Sequence, residues 1–121
     1  KKIIWVKYSK NVKDLLNLAN VFVLPSRYEG FGMVFLEAML TSTPIISTNA
    51  SAIPEVIKHN YNGILIEPNN IKQMISALKK IQDKKTVKMF NTNSKKLLLS
   101  KFSLNKMYKK TNEIYYNVLD K

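Results

Sequence analysis

The fold is decided by one stretch of the chain, Pro25-Ser26-Arg27-Tyr28-Glu29-Gly30-Phe31-Gly32-Met33-Val34-Phe35-Leu36-Glu37-Ala38-Met39-Leu40. It follows an apolar segment, residues 21–24, and joins a short glycine-bearing loop to a segment whose only charged residue is Glu37. If residues 33–40 form a helix, that helix is apolar on all sides, which predicts that it is buried. A buried carboxylate costs free energy unless a donor hydrogen-bonds it, so we expect a distant partner or a ligand to contact Glu37.

The loop before this helix is predicted to bind phosphate. Gly30 and Gly32 allow backbone conformations that are closed to other residues, and they let a ligand come close to the main chain. The first N–H groups of a helix have no partner inside the helix, and the helix dipole attracts anions to that end. Glu29 and Glu37 stand on either side, and carboxylates accept hydrogen bonds from hydroxyl groups. Together these features predict a site for a phosphorylated sugar.

Apolar periodicity predicts strands that alternate with helices, followed by helices only. The predicted strands are residues 3–8, 21–24, 44–48 and 63–67. Helices are predicted to begin near Asn11, Met33, Ile53, Asn70, Thr86 and Ser103. This pattern is typical of an α/β fold. We expect residues 1–121 to form a single Rossmann-like, three-layer lobe with a parallel sheet and a helical carboxyl-terminal tail.

Ligands of parallel sheets bind beyond the carboxyl ends of the strands. Tyr8, residues 26–32, residues 49–52 and Pro68 each follow or end a predicted strand, so we expect them at that edge. Side-chain caps are predicted at two helix starts, and the pairs are Asn11 with Asp14 and Asn70 with Gln73.

Composition indicates a globular protein and leaves the role of the charge open. Of the 121 residues 45% are hydrophobic, and none is a cysteine, so disulfides and thiolate metal ligands are excluded. The net charge is +12, and residues 72–110 hold twelve lysines and one acid, Asp83, a net +11. Such a block is either an ordinary solvated face or a surface for an anionic membrane or nucleic acid. No apolar run approaches the roughly 20 residues that span a bilayer.

Several blocks of the sequence resemble a known family. They are residues 21–32, which end in Glu29-Gly30-Phe31-Gly32, and residues 37–39, 43–48, 53–57 and 62–66. In this order and at these spacings they resemble the carboxyl-terminal, donor-binding lobe of the group 1 (family four) glycosyltransferases, which have the GT-B architecture. The resemblance extends from Ile3 to the last predicted helix.

The resemblance implies a retaining, metal-independent transferase that moves a hexose-type sugar from a nucleotide diphosphate sugar, such as a UDP-sugar. The acceptor would be a glycan or a lipid-linked sugar in polysaccharide, lipopolysaccharide or capsule biosynthesis. The donor is a substrate, and no cofactor is implied. Because the family has a second, amino-terminal lobe, we expect a fragment of a larger cytoplasmic enzyme that is inactive alone. A lipid-linked acceptor would also explain a lysine-rich tail at the inner face of the membrane.

The resemblance also implies roles for individual residues. Glu29 is expected to be the catalytic residue, which meets the donor sugar near its reacting face. Glu37 is expected to accept hydrogen bonds from the ribose, and Tyr8 is expected to stack on the base. Backbone N–H groups are expected to hold the sugar hydroxyls and the diphosphate, and they belong to Gly30, Phe31, Gly32 and Met33.

The sequence departs from the family pattern at three places. Asn20 stands where the family has an aspartate, Thr43 where it has a glycine, and residues 49–52 replace a more glycine-rich loop near the donor. Structural readings also remain open, because Glu37 could be a paired structural acid and Glu29 a solvated loop residue.

Two other functions remain as alternatives. One is a basic, nucleic-acid-binding α/β module, which is disfavoured because aromatic residues that could stack on bases are scarce among the lysines outside the carboxyl-terminal tail. The other is a sugar-nucleotide-binding lobe without chemistry.

Overall fold

The computed structural model describes residues 2–119, which form six helices and three strands. In chain order these are α1 (Val12–Leu18), β1 (Phe22–Leu24), α2 (Met33–Leu40), β2 (Ile45–Thr48), α3 (Ile53–Val56), β3 (Ile64–Ile66), α4 (Ile71–Lys80), α5 (Lys84–Lys101) and α6 (Leu104–Leu119). The strands form one parallel sheet in the order β1-β2-β3. The predicted α/β fold, with a parallel sheet and a helical carboxyl-terminal part, is confirmed.

Neighbouring residues of a strand point to opposite faces of the sheet, so each face has its own core. Helices cover both faces. Ile45 faces the front core, whose buried residues are Leu16, Phe35, Ala38, Met39, Ile45, Ile53, Val56 and Ile57. Ile46 faces the back core, whose buried residues are Ile46, Ile64, Ile66, Ala77, Ile81 and Phe90. Strands buried on both faces are apolar without alternation. This explains why the apolar runs correctly predicted β1 and β2.

The predicted strand at residues 3–8 is wrong. The backbone there is irregular, and Ile3, Ile4 and Trp5 are 83%, 87% and 81% exposed. A strand needs a neighbour that pairs its N–H and C=O groups, whatever its apolar content. Within residues 2–119 neither β1 nor β3 pairs with this segment. The described sheet therefore has three strands rather than four.

Helix α2 is buried on one side only, so the prediction of an entirely buried helix is wrong. Phe35, Ala38 and Met39 are at most 1% exposed, whereas Met33 and Leu40 are 63% and 69% exposed. Positions 35, 38 and 39 share one helical face because residues three and four apart are neighbours. The opposite face, which carries Met33, Glu37 and Leu40, is open, and exposed apolar residues are common on protein surfaces.

Helix α5 reaches both cores. Its residue Phe90 belongs to the back core, whereas Leu98 and the following Phe102 pack against the front core. Between them, the Ser94 hydroxyl donates a hydrogen bond to the main-chain oxygen of Asn62, in the turn before β3 (3.4 Å). The two ends of α5 therefore lie against opposite faces of the sheet.

One of the two predicted capping pairs is confirmed. Asn70 Oδ1 accepts a hydrogen bond from the main-chain N–H of Gln73 (3.0 Å), and α4 begins at the next residue. Asn11 stands before α1 as predicted, but its side chain makes no capping bond. The N–H of Asp14 bonds instead to the main-chain oxygen of Asn11 (3.1 Å).

The start of α5 was predicted two residues too late, because its capping residue was missed. Asp83 accepts hydrogen bonds from the main-chain N–H groups of Lys85 (3.3 Å) and Thr86 (2.9 Å). It also accepts one from the Thr86 hydroxyl (2.7 Å). These bonds lower the pKa of the Asp83 carboxyl, with the Thr86 hydroxyl as the largest cause.

Helix α6 is a helix, as its apolar periodicity predicts, but its apolar stripe lies in the open. Tyr108, Tyr115 and Tyr116 are 65–66% exposed. Between residues 2 and 119, no helix combines the length and the apolarity that crossing a bilayer requires.

Candidate functional site

The carboxyl ends of the three parallel strands lie at one edge of the sheet, and each is followed by a polar loop. The loops are residues 25–32 after β1, 49–52 after β2 and 67–70 after β3. Ligands of parallel sheets bind at this edge. The structure therefore brings together the loops that the sequence assigns to the site.

Hydroxyl groups of β2 fasten the end of β1. Ser47 Oγ donates to the main-chain oxygen of Leu24 (2.6 Å), and Thr48 Oγ1 donates to the main-chain oxygen of Ser26. Ser47 and Thr48 are both buried. The beginning of the glycine loop is thus held to the centre of the sheet.

Glu29 is held at both its side chain and its main chain. The Ser26 hydroxyl donates to Glu29 Oε1 (2.9 Å). The main-chain oxygen of Glu29 accepts from Ser51 Oγ (2.9 Å) and from the N–H of Ala52 (3.4 Å). These bonds join the loops after β1 and β2. Glu29 is a partly buried carboxylate in a restrained position rather than a freely solvated one.

Helix α2 begins at the glycine loop without a side-chain cap. Gly32 precedes it with φ 73° and ψ 62°, the left-handed conformation that favours glycine. A Cβ at this position would lie 2.5 Å from the ring of Phe35, whereas a Cβ at Gly30 would meet open space. Because no side chain caps this helix start, its first N–H groups can receive an anion.

The carboxylate of Glu37 is exposed, so the expectation that it is buried is wrong. It lies one helical turn after Met33 on the open face of α2, the face opposite Phe35 and Met39. The main-chain oxygen of Glu37 accepts hydrogen bonds from the N–H (3.1 Å) and the hydroxyl (3.2 Å) of Thr41. An exposed carboxylate needs no buried partner and remains available to a hydroxyl ligand.

Tyr8 is not placed at the sheet edge by a strand, because the strand that was expected to end there does not form. Its side chain is 79% exposed. Among residues 2–119, the two close aromatic pairs are Phe22 with Phe35 and Phe31 with Phe102, and neither includes Tyr8. The role of Tyr8 in binding a base stays a prediction.

Two cross-links between the loops were missed in the sequence. Arg27 Nη2 donates to Asn69 Oδ1 (3.1 Å), and Asn49 Nδ2 donates to Glu67 Oε1 (3.4 Å). Asn69 has φ 62°, a conformation that asparagine tolerates better than most residues. The asparagines after predicted strands were the available signal for these contacts.

One surface groove lies away from this edge. It measures about 940 Å³ and is lined by Asn20 and Ser42, which precede β1 and β2. A groove of about 480 Å³ reaches the carboxyl edge at Asn49 and Glu67. We place the candidate site at the carboxyl edge because the open helix start is there. Across residues 2–119, no three metal-ligating side chains gather into a cluster.

Comparison with known proteins identifies related sequences. The family model described as "Glycosyl transferases group 1" matches residues 1–97. The chain is 29% identical over 119 residues to the UDP-Gal:alpha-D-GlcNAc-diphosphoundecaprenol alpha-1,3-galactosyltransferase of Escherichia coli. This match covers 98% of the chain and 31% of that protein, so the chain spans about a third of the relative's length.

Two solved structures have a similar fold. One is the C-terminal domain of the Glycosyl Transferase Group 1 family protein LpcC from Francisella tularensis, with a TM-score of 0.71 and 31% identity. The similarity covers 84% of this chain and 53% of that one. The other is Anabaena Alr3699/HepE in complex with UDP, with a TM-score of 0.82 and 21% identity over 90% of this chain and 30% of that one. At that identity the second structure supports the fold alone.

Proposed function

The chain belongs to the group 1 glycosyl transferases, and from this premise we propose that it is the donor-binding part of a retaining enzyme. The enzyme moves a hexose-type sugar from a nucleotide diphosphate sugar to a glycan or lipid-linked acceptor. One observation carries the proposal. The start of α2 has no side-chain cap. It directly follows the glycine loop, in which the carboxylate of Glu29 accepts a hydrogen bond from the Ser26 hydroxyl.

The diphosphate is assigned to the start of α2. The N–H groups of Gly30, Phe31, Gly32 and Met33 would donate to it and to the sugar hydroxyls. When the bond from the anomeric carbon to the diphosphate oxygen breaks, negative charge develops on the diphosphate. Donors that are already oriented stabilise this charge without reorganising. The helix dipole acts in the same direction.

Two carboxylates are assigned to the sugars of the donor. Glu29 would contact the transferred sugar, since the Ser26 hydroxyl already orients one of its oxygens. Glu37 lies one helical turn beyond Met33 on the open face of α2, where it would accept from the ribose hydroxyls. Tyr8 is proposed for the base. The chemistry assigned to these groups uses no metal and no cofactor.

The proposed donor is a UDP-sugar and the proposed acceptor is lipid-linked. The name of the E. coli relative gives UDP-Gal as donor and a diphosphoundecaprenol-linked sugar as acceptor, and the HepE structure was solved with UDP. We therefore place the enzyme in the cytoplasm, in polysaccharide, lipopolysaccharide or capsule biosynthesis. In this proposal the lysines of residues 72–110 face the anionic inner surface of the membrane. A separate amino-terminal lobe would bind the acceptor.

Binding of UDP to the chain tests the donor site. We expect UDP to slow amide hydrogen exchange at residues 30–33, and uridine to do so much less because it lacks the diphosphate. Glu37→Gln should weaken UDP binding, whereas Glu113→Gln, a matched change on exposed α6, should not. If UDP protects none of these amides, the donor assignment is wrong.

The alternative of a nucleic-acid-binding module is not favoured, because the family match and the fold both point to sugar transfer. Its distinguishing sign would be affinity for nucleic acid that falls steeply as salt rises. The alternative of a lobe without chemistry is tested by sugar transfer in an enzyme that joins this chain to an amino-terminal lobe, with and without Glu29→Gln.

A further inference from the structure

The glycine loop touches the junction between α5 and α6. The ring of Phe31 packs edge-on against the ring of Phe102, with centroids 5.8 Å apart and an interplanar angle of 68°. Edge-to-face geometry at this distance is a favourable arrangement for two aromatic rings. Phe102 is the residue between α5 and Ser103, whose hydroxyl accepts from the N–H of Lys106 in α6 (3.4 Å).

Phe102 is itself anchored. Its N–H donates to the main-chain oxygen of Leu98 (3.1 Å), which closes the last turn of α5. Its side chain packs against the front core, which includes Phe35 and Met39 from the buried face of α2. The ring of Phe31, by contrast, is 38% exposed. The contact therefore joins a partly exposed loop ring to a fixed point beside α2.

The loop around Phe31 has few other restraints. Gly30 on one side borders open space, and Gly32 on the other side has the left-handed conformation. The nearest main-chain anchors are the oxygen of Glu29, bonded to Ser51, and the oxygen of Gly32, bonded to the N–H of Phe35 (2.9 Å). Between these anchors, two glycines leave the backbone free to rotate. The contact of the Phe31 ring with Phe102 restrains the direction of this segment.

We propose that Phe102 is a positioning residue, which fixes the backbone N–H groups of residues 30–33 through the ring of Phe31. This inference rests on the proposed donor site, because those N–H groups are the ones assigned to the diphosphate. Donors that are ordered before binding lose less conformational entropy when the ligand arrives. Phe102 contributes to donor affinity without touching the donor. Because Phe102 lies between α5 and α6, the position of α6 also affects how well the glycine loop is ordered.

The test compares Phe102→Leu with Phe90→Leu. Both residues belong to the α5 region, but Phe90 lies in the back core, whereas Phe102 packs against the front core and the ring of Phe31. We expect Phe102→Leu to speed amide exchange at residues 30–33 in the chain without ligand. It should also weaken UDP binding by about two- to tenfold, the range for one aromatic pair. Phe90→Leu should lower global stability but leave exchange at residues 30–33 and UDP affinity unchanged below the unfolding transition.

A double substitution separates this role from general packing. Phe31→Leu alone should weaken UDP binding as much as Phe102→Leu does, and the two together should weaken it no further. Additive losses, or unchanged loop exchange in Phe102→Leu, would overturn the proposal. If the unaltered chain fails to bind UDP, the donor assignment fails. The positioning of the loop by Phe102 is then decided by the exchange measurement alone.

Discussion

At the scale of single residues, the candidate site depends on one restrained carboxylate and one left-handed glycine. The Ser26 hydroxyl and the Ser51 hydroxyl hold the two ends of Glu29, its carboxylate and its main-chain oxygen. Gly32 turns the chain directly into α2. Each feature can be tested by a substitution that has a matched control in the same chain.

Glu29→Gln keeps the shape of the side chain and removes its charge. In an enzyme that joins this chain to an amino-terminal lobe, we expect kcat to fall roughly 10- to 150-fold, as for the loss of a hydrogen bond to a charged group. The free energy of unfolding should change little. Glu55→Gln, at an exposed residue in the first turn of α3, is the control and should leave kcat unchanged. An unaltered kcat in Glu29→Gln would contradict a catalytic role for Glu29, whereas no transfer by the unaltered joined enzyme would favour the lobe without chemistry.

Gly32→Ala tests the left-handed turn. The new Cβ would lie 2.5 Å from the buried Phe35 ring, at φ 73°. We expect the free energy of unfolding to fall by about 1–3 kcal/mol, measured by urea denaturation. Gly30→Ala is the control, because its Cβ would enter open space, and its effect should stay within about 0.5 kcal/mol. Equal losses for the two alanines would contradict the described loop.

At the scale of elements, the two faces of α2 have different tasks. One face enters the front core, and the other exposes Met33 and Glu37 beside the glycine loop. A helix can therefore be rich in apolar residues and still offer an open side to a ligand. Helix α5 is divided along its length instead, because Phe90 lies in the back core and Leu98 packs against the front core.

Two methionines lie on the two faces of α2, so substituting each of them compares the burial of those faces. Met39 is 1% exposed and Met33 is 63% exposed. We expect Met39→Ala to lower the free energy of unfolding by about 2–5 kcal/mol, because it leaves a cavity in the front core. Met33→Ala should change it by about 0.5 kcal/mol or less. Thermal or urea unfolding distinguishes the two, and similar losses would mean that α2 is buried on both sides.

The start of α5 gives a pH dependence with a defined sign. Hydrogen bonds from Thr86 hold the pKa of Asp83 below its ordinary value of 3.8, so folding favours the charged carboxylate. This stabilisation is complete above the unfolded-state pKa and is lost as the pH falls through the lower, folded-state pKa. We expect Asp83→Ala to be less stable than the unaltered chain at pH 7.

That difference in stability should shrink as the pH is lowered below 3.8. Urea denaturation at several pH values measures it. Thr86→Val is the control, since it removes the hydroxyl donor but keeps the backbone donor to Asp83. A difference that grows on acidification would contradict the assigned cap.

At the scale of the whole molecule, three strands place three loops at one edge. The chain spans about a third of its E. coli relative, and its described residues include apolar surface on residues 3–6 and on α6. In the proposed enzyme, the acceptor lies against another lobe. The donor site then forms one wall of a cleft between the two lobes. The chain alone is therefore expected to bind the donor without transferring its sugar.

Sugar transfer by the chain alone tests this separation. With a radiolabelled UDP-sugar and a lipid-linked acceptor, we expect binding of the donor but no transfer above the background of a denatured sample. Addition of an amino-terminal lobe from a relative, in one polypeptide, should restore transfer. Clear turnover by the isolated chain would show that the donor site needs no second lobe.

Much of this molecule is determined by sequence alone. Local signals correctly predicted β1 and β2, the helix starting at Met33, and the cap of Asn70 on α4, because apolar runs and capping residues act over a few positions. The Glu29-Gly30-Phe31-Gly32 block likewise pointed to the loop that the structure places at the carboxyl edge of the sheet.

Tertiary structure decided what depends on distant neighbours. Residues 3–8 have the composition of a strand but form none, since a strand exists only where another chain segment pairs with it. The side of α2 that faces the core, and so the exposure of Glu37, depends on where the sheet and α5 lie. The contact of Phe31 with Phe102 joins residues far apart in the chain. Side-chain periodicity predicts one helix or strand at a time, whereas the burial of a residue depends on which other elements pack against it.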